Sequence, residues 1–260
     1  MTNPRLIEVH GKPVSGGAHP LICTPLVGRT RDAVLAELAV VQPKSPDLIE
    51  WRVDYFEGIG DGKLVIETAR AIKARAGSIP IIFTRRSAGE GGEKIPIGED
   101  AVVALYGEVC AARCVDIIDY EMSNAPEHFT RLRSASREND IPLIASYHNF
   151  KSTPDRAALI AKFTEARRLQ GDIAKVAVMP AGPEDVLTLL GATYAATQSL
   201  DIPLISMSMG GYGSLSRMIG WVYGSTVTFA VGKSSSAPGQ IPIEELQAVL
   251  AASRRAVTGH

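Results

Sequence analysis

Short apolar runs rich in β-branched residues alternate along the chain with longer segments of helical period. The runs are LICTPLV (Leu21 to Val27), DLIEWRV (Asp47 to Val53), IPIIFTR (Ile79 to Arg85), VDIIDYE (Val115 to Glu121), IPLIASYH (Ile141 to His148), DIAKVAV (Asp172 to Val178), IPLISMS (Ile202 to Ser208) and STVTFAV (Ser225 to Val231). Near-continuous apolar runs of this length read as strands covered on both faces. Between them, Val186, Leu189, Leu190 and Tyr194, or Ile243, Leu246, Val249 and Leu250, place apolar groups on one helical face. Thr153 followed by Pro154 predicts an N-cap with proline at the first helical position. Eight such units of roughly 30 residues predict a (β/α)8 TIM barrel, with a doubly wound open sheet as the alternative α/β arrangement. No Pro/Gly/Ser-rich linker divides residues 1–260, so the chain reads as one domain, with residues before Leu21 forming a short hairpin that closes the barrel floor.

Ionisable residues interrupt these runs near their carboxyl ends. Glu50 and Arg52 are two apart and share one strand face, opposite Ile49, Trp51 and Val53. Thr84 and Arg86, Asp119 and Glu121, Ser146 and His148, and Ser206 and Ser208 repeat the spacing, and Lys175 stands in the sixth run. All are expected to converge on the mouth at the carboxyl ends of the strands, where barrel enzymes keep their chemistry. A structural ion pair inside the barrel is the competing reading for Glu50 with Arg52. Burying an ammonium is costly and favours the neutral amine, the form that attacks a carbonyl, so in this company Lys175 reads as a Schiff-base lysine, with an edge or snorkelling residue as the alternative. His148 ends its strand where a proton shuttle is needed, and imidazole suits that task near neutral pH.

Three loops add candidates. RRSAGEGGEK is expected to bring Glu90 to the mouth to orient a histidine, with an ordinary flexible loop as the alternative, and the glycines of MGGYGSLSR give a weak phosphate-loop signal. GKSSSAPGQIPIEEL, with Gln240, has the small polar composition of a mobile lid, with a surface linker as the alternative.

Charge narrows the function class. With 27 Lys+Arg against 28 Asp+Glu, the chain has no basic excess to track nucleic acid. No apolar stretch approaches a membrane span or a signal peptide, which points to a cytoplasmic protein without a membrane partner. Cys23, Cys110 and Cys114 lack partners of metal-ligand spacing, so they are expected to be reduced, buried thiols and no metal is expected. His10, His19, His128 and His260 fall in tail, turn or helix contexts and receive no role.

Taken together, EWRVDYF, FTRRSAGEGGE, VDIIDYE, SYHNF, DIAKVAVMP, the SMSM stretch through Ser216 and Arg217, and SSAPGQI resemble the type I 3-dehydroquinate dehydratases of the shikimate pathway, in family order from Leu21 to Leu250. That resemblance implies a (β/α)8 fold, no metal or organic cofactor, a homodimer, and 3-dehydroquinate as the small-molecule substrate. It implies that Lys175 forms the imine, His148 is the general acid/base and Glu90 its carboxylate partner. It also implies that Glu50 and Arg52 position ring hydroxyls, while Arg86, Arg217, Ser236 and Gln240 hold the substrate carboxylate and close the lid. Arg85, Tyr147 and the GGYG at Gly210 to Gly213 depart from the family pattern. A class I aldolase and a catalytically dead hydroxy-acid binder are the competing readings; the first calls for a phosphate site, and the second fits poorly with Lys175 and His148 both present.

Overall fold

The computed structural model describes residues 4–17 and 19–259, so His260 lies outside the described residues. Strands β1 (Ile7–Val9) and β2 (Lys12–Ser15) form an antiparallel hairpin. Its two turn residues, His10 and Gly11, both have positive φ, the geometry whose twist matches a two-residue hairpin. The barrel strands are β3 (Leu21–Leu26), β4 (Leu48–Arg52), β5 (Ile81–Thr84), β6 (Ile117–Glu121), β7 (Leu143–Asn149), β8 (Ile173–Val178), β9 (Leu204–Ser208) and β10 (Val227–Val231). Each coincides with one of the eight apolar runs. All pair in parallel in the order β3 to β9, with β10 beside β3 and the short β11 (Ile241–Pro242) outside β10.

The ring closes between β9 and β10 through one bridge, Leu204 to Ser225. The Thr226 N–H donates to the Leu204 carbonyl at 2.8 Å, and the Ser206 N–H donates to the Ser225 hydroxyl at 2.9 Å. The crossovers carry α1 (Arg31–Val41), α2 (Gly62–Ala76), α3 (Glu99–Ala111), α4 (Pro126–Glu138), α5 (Arg156–Arg168), α6 (Pro183–Ala196) and α7 (Gly210–Ile219), and α8 (Ile243–Thr258) follows β11. This is a (β/α)8 barrel with a hairpin at its base.

Period-two alternation divides the barrel strands into two cores. Outward positions such as Ile49, Trp51, Phe83, Ile118, Tyr120 and Val176 pack against the helices. There Trp51, Phe83, Tyr106, Tyr120 and Phe129 form a chain of ring contacts 4.9 to 5.9 Å apart. Inward positions Leu48, Ile82, Ile117, Ile144 and Ile173 form an apolar layer, and hairpin residues Ile7 and Val14 join it. The hairpin is pinned there by His10, whose Nε2 lies 3.0 Å from Asp116, and Lys73 bonds the same oxygen at 2.7 Å. The barrel floor is thus closed as the sequence predicts.

Several local expectations change. Helix α5 starts at Arg156 with Asp155 as its N-cap, accepting the Ala158 N–H at 2.8 Å. Thr153 does not cap it, because its hydroxyl donates to the Met179 carbonyl at 3.0 Å. Tyr194 lies on the exposed side of α6, and Thr193 and Ala196 complete the buried face. Cys110 lies on α3 and Cys114 just past its end, and all three cysteines are free and buried, as expected.

Candidate active site

Two residues beyond each floor position, the inward side chains turn polar. Leu48 is followed by Glu50 and Arg52, Ile117 by Asp119 and Glu121, Ile144 by Ser146 and His148, and Ile173 by Lys175. The mouth therefore stands on an apolar plug that excludes water from below. Ser206 and Ser208 do not join it. They have the opposite parity: Ser206 accepts from Thr193 on α6 at 2.8 Å, and Ser208 bonds through its backbone to Ser216. The inward positions of β9 are Ile205 and Met207.

Lys175 is not isolated among apolar neighbours. Its ammonium donates to Asp119 Oδ2 at 2.8 Å and approaches Glu50 Oε1 at 3.3 Å, and it lies 4.5 Å from the centre of the Phe229 ring. Thr84 donates to the same Glu50 oxygen at 3.0 Å. Asp119 Oδ1 takes the Arg86 guanidinium at 2.7 Å and the Ser146 hydroxyl at 2.6 Å. Burial alone raises the Asp119 carboxyl, but Arg86 and Lys175 outweigh it and hold the group far below the usual carboxylate range. Arg86 also reaches Glu121 at 3.1 Å and lies 3.8 Å from Glu90. Every formal charge in this buried cluster faces an opposite one, as burial requires.

Glu90 ends a short 3-10 turn, Ala88–Glu90, after β5. Its Oε2 accepts the His148 backbone N–H at 2.9 Å and lies 3.0 Å from His148 Nδ1. Gly91, with φ +85, packs against Phe150, where a Cβ would fall 2.2 Å from the ring, so this loop is seated beside the strand end that carries His148. Burial and the neighbouring Glu121 push the Glu90 carboxyl up to about 7. Burial, then Arg86 and Lys175, hold the His148 imidazole well below its ordinary value. A neutral imidazole whose Nδ1–H is held by Glu90 leaves Nε2 with a free lone pair, the arrangement of a general base.

Across the mouth, Arg52 forms a two-point ion pair with Asp54, at 2.9 and 2.8 Å, and lies over the Tyr55 ring. Arg217 differs. It is 2% exposed, and among the described residues its guanidinium hydrogen-bonds only the Phe229 and Pro238 carbonyls, at 3.4 Å, and the Met207 sulfur, at 3.5 Å. Its Nε has no partner among the described residues, and burial lowers the guanidinium to about 10. A cation buried with no carboxylate beside it has its charge uncompensated and its donors free for an anion.

The segment Lys233 to Gln240 covers this end. Gln240 Nε2 bonds Ser236 Oγ at 3.2 Å, and the Pro238 carbonyl accepts the Gly210 N–H at 3.2 Å. Gly239, at φ +75, lies so close to Gly210 that a Cβ would fall 2.1 Å from its carbonyl oxygen. Of the glycines in MGGYGSLSR, Gly213 is required by close packing, since its Cβ would fall 2.4 Å from the Ser208 backbone; Gly210 has positive φ, +68, and a Cβ on Gly211 would meet nothing within 4 Å.

Lys175, His148, Glu90, Glu50, Arg52, Arg86, Arg217, Ser236 and Gln240 all line one pocket at the mouth, of about 410 Å³ when the space open to solvent is included. Met207, Met209, Phe150 and Phe229 add an apolar wall that sequence reading did not single out. Asp54 was also missed; its only sequence signal is its place two residues after Arg52. Arg85 points outward instead, ion-paired with Glu99 beside Tyr120. Among the described residues, no group of three His, Cys, Asp or Glu side chains is arranged to hold a metal ion, and no helix is long and apolar enough to cross a membrane.

Comparison with known proteins places these residues in context. The profile of the type I 3-dehydroquinase family matches residues 22–256. The 3-dehydroquinate dehydratase of Albidiferax ferrireducens is 59% identical over 257 residues, covering 99% of this chain and 97% of its own. The crystal structure of 3-dehydroquinate dehydratase from Geobacillus kaustophilus superposes with a TM-score of 0.95 at 45% identity, over 97% and 98% of the two chains. The type I enzyme from Clostridium difficile, solved with covalent modified comenic acid, gives 0.93 at 35% identity, over 97% and 99%.

Proposed function

The chain belongs to the type I 3-dehydroquinase family, a family of hydro-lyases that dehydrate 3-dehydroquinate, and from that premise we propose that it works through an imine on Lys175 with His148 as the general acid/base. One observation carries the reading: Lys175, His148 and the carboxylate-free Arg217 line one small cavity on an apolar floor.

In the proposed sequence, the Lys175 amine adds to the C3 carbonyl of 3-dehydroquinate and water leaves, forming a protonated imine. The imine acidifies the C2 hydrogens, and His148 Nε2 removes one to give an enamine. The enamine expels the C1 hydroxyl, which takes the proton from His148 and departs as water. Hydrolysis of the conjugated imine releases 3-dehydroshikimate and restores Lys175, so the balance is one water lost. Asp119 and Glu50 compensate the charge on Lys175, and Glu90 orients His148. Glu50 and Arg52 are positioned for ring hydroxyls. Arg217, with Ser236 and Gln240 from the lid, holds the substrate carboxylate, and Arg86 adds positive potential while committed to Asp119 and Glu121.

The reading includes one catalytic barrel domain acting in the cytoplasm without a metal or organic cofactor. It also includes a homodimer. Leu187 and Tyr194 on α6, and Leu215, Ile219 and Val222 on and just after α7, are exposed apolar groups on neighbouring helices that a second copy would cover. Leu215→Glu should then shift the sedimentation of the protein to that of a monomer.

Borohydride added with 3-dehydroquinate should leave the reduced ligand mass on the peptide bearing Lys175. Mass on another lysine, or an active preparation with none, overturns the assignment. Absorbance of the conjugated enone product checks the reaction itself.

A further inference from the structure

Glu90 has a third hydrogen-bond partner. Ser123, in the turn between β6 and α4, donates its hydroxyl to Glu90 Oε1 at 2.6 Å, on the oxygen opposite the one that meets His148. We propose that Ser123 is a positioning residue for the dehydration: its hydroxyl keeps Glu90 a hydrogen-bond acceptor and so selects the His148 tautomer whose Nε2 is free to take a proton. The inference rests on the acid/base reading of His148.

The argument is one of donors and acceptors. An ionised Glu90 accepts from Ser123, from the His148 backbone N–H and from Nδ1–H, and all three contacts are satisfied. A protonated Glu90 would present its own O–H to Nδ1, move the ring hydrogen to Nε2 and remove the base from the cavity. The groups facing Glu90 act in opposite directions. Burial and Glu121 on β6 favour the protonated acid, while Arg86 beyond β5, 3.8 Å away, and the Ser123 and His148 donors favour the carboxylate. With the carboxyl near 7, loss of one charge-assisted donor shifts this balance at working pH. Ser123 is itself exposed, so replacing it opens no core cavity.

The test is kcat/KM against pH for the wild type, Ser123→Ala, Ser123→Thr and His148→Ala, with 15N shifts of the His148 ring. In Ser123→Ala the acid limb should move up by about half to one pH unit, a three- to tenfold loss at pH 6 against a much smaller loss on the alkaline plateau. The Nε2–H tautomer should gain population near pH 7, and Ser123→Thr should restore the wild-type profile. Superimposable profiles, or an equal loss at every pH, overturn the proposal. If His148→Ala turns over like the wild type, the reading beneath it fails. If His148→Ala is inactive while Ser123→Ala matches the wild type, the role of Ser123 alone is refuted.

Discussion

Asp119 on β6 and Lys175 on β8 meet inside the barrel with Oδ2 and Nζ 2.8 Å apart, and the other Asp119 oxygen is held by Arg86 at 2.7 Å. One carboxylate therefore joins two buried cations. Asp119→Asn leaves Arg86 and Lys175 undercompensated and should cost about 3–5 kcal/mol, measured by denaturant unfolding at pH 7. The carboxyl is depressed in the folded state, so its contribution is complete above the unfolded pKa of about 3.9 and is lost as pH falls below it. Asp119→Asn should then be less sensitive than the wild type to acid below about pH 4.

His148→Ala should still form the imine, trapped by borohydride on Lys175, while kcat falls by a factor on the order of 10² to 10⁴. In the wild type, kcat/KM should decline as pH drops below about 7, where the Glu90 and His148 pair takes up its proton. A flat profile from pH 9 to 5 would place the base elsewhere.

Arg217→Met tests whether a buried cation without a carboxylate serves binding rather than folding. The side chain has no opposite charge to lose, so the stability change should stay within about 1 kcal/mol. KM should rise by on the order of 10² with the loss of a charge-assisted grip on the substrate carboxylate. A large drop in melting temperature with KM unchanged would contradict this.

Gly239→Ala should weaken substrate binding without unfolding the barrel, because the new methyl group cannot share space with the Gly210 backbone when the lid lies over the mouth. Gln240→Ala should act in the same direction by releasing Ser236. Hydrogen exchange of Lys233 to Gln240 should slow once Lys175 carries reduced ligand. Equal exchange in both forms, with unchanged kinetics in the two variants, would make the segment a surface connection only.

The barrel was legible in the sequence because eight buried parallel strands need eight apolar runs, and each run surfaced as a strand. The inward charges were legible for the same reason: polar side chains at Glu50, Arg52, Asp119 and Lys175 break an apolar code that is otherwise nearly complete. Ser206 and Ser208 were misplaced because small hydroxyl residues fit either face of a strand, and only their contacts with Thr193 and Ser216 reveal parity. The ion pairs around Lys175 join strands far apart in sequence, so no local spacing announces them. Thr153 misled in turn, since a tertiary bond to Met179 took its hydroxyl and left the cap to Asp155.

Neighbouring barrel strands share three to six registered pairs except between β9 and β10, where one bridge and the hydroxyls of Ser225 and Thr226 join them among the described residues. The barrel is in that sense a strip with a clasp rather than a hoop, and the clasp is where the fewest backbone bonds hold neighbouring strands together. Phe229 stands on one side of it, Met207 on the other, and Arg217 touches both. The wall that supports the buried Arg217 is also the wall with the fewest ladder bonds to its neighbour, so this side of the mouth is less tied by backbone pairing than the ladders beneath Lys175 and His148.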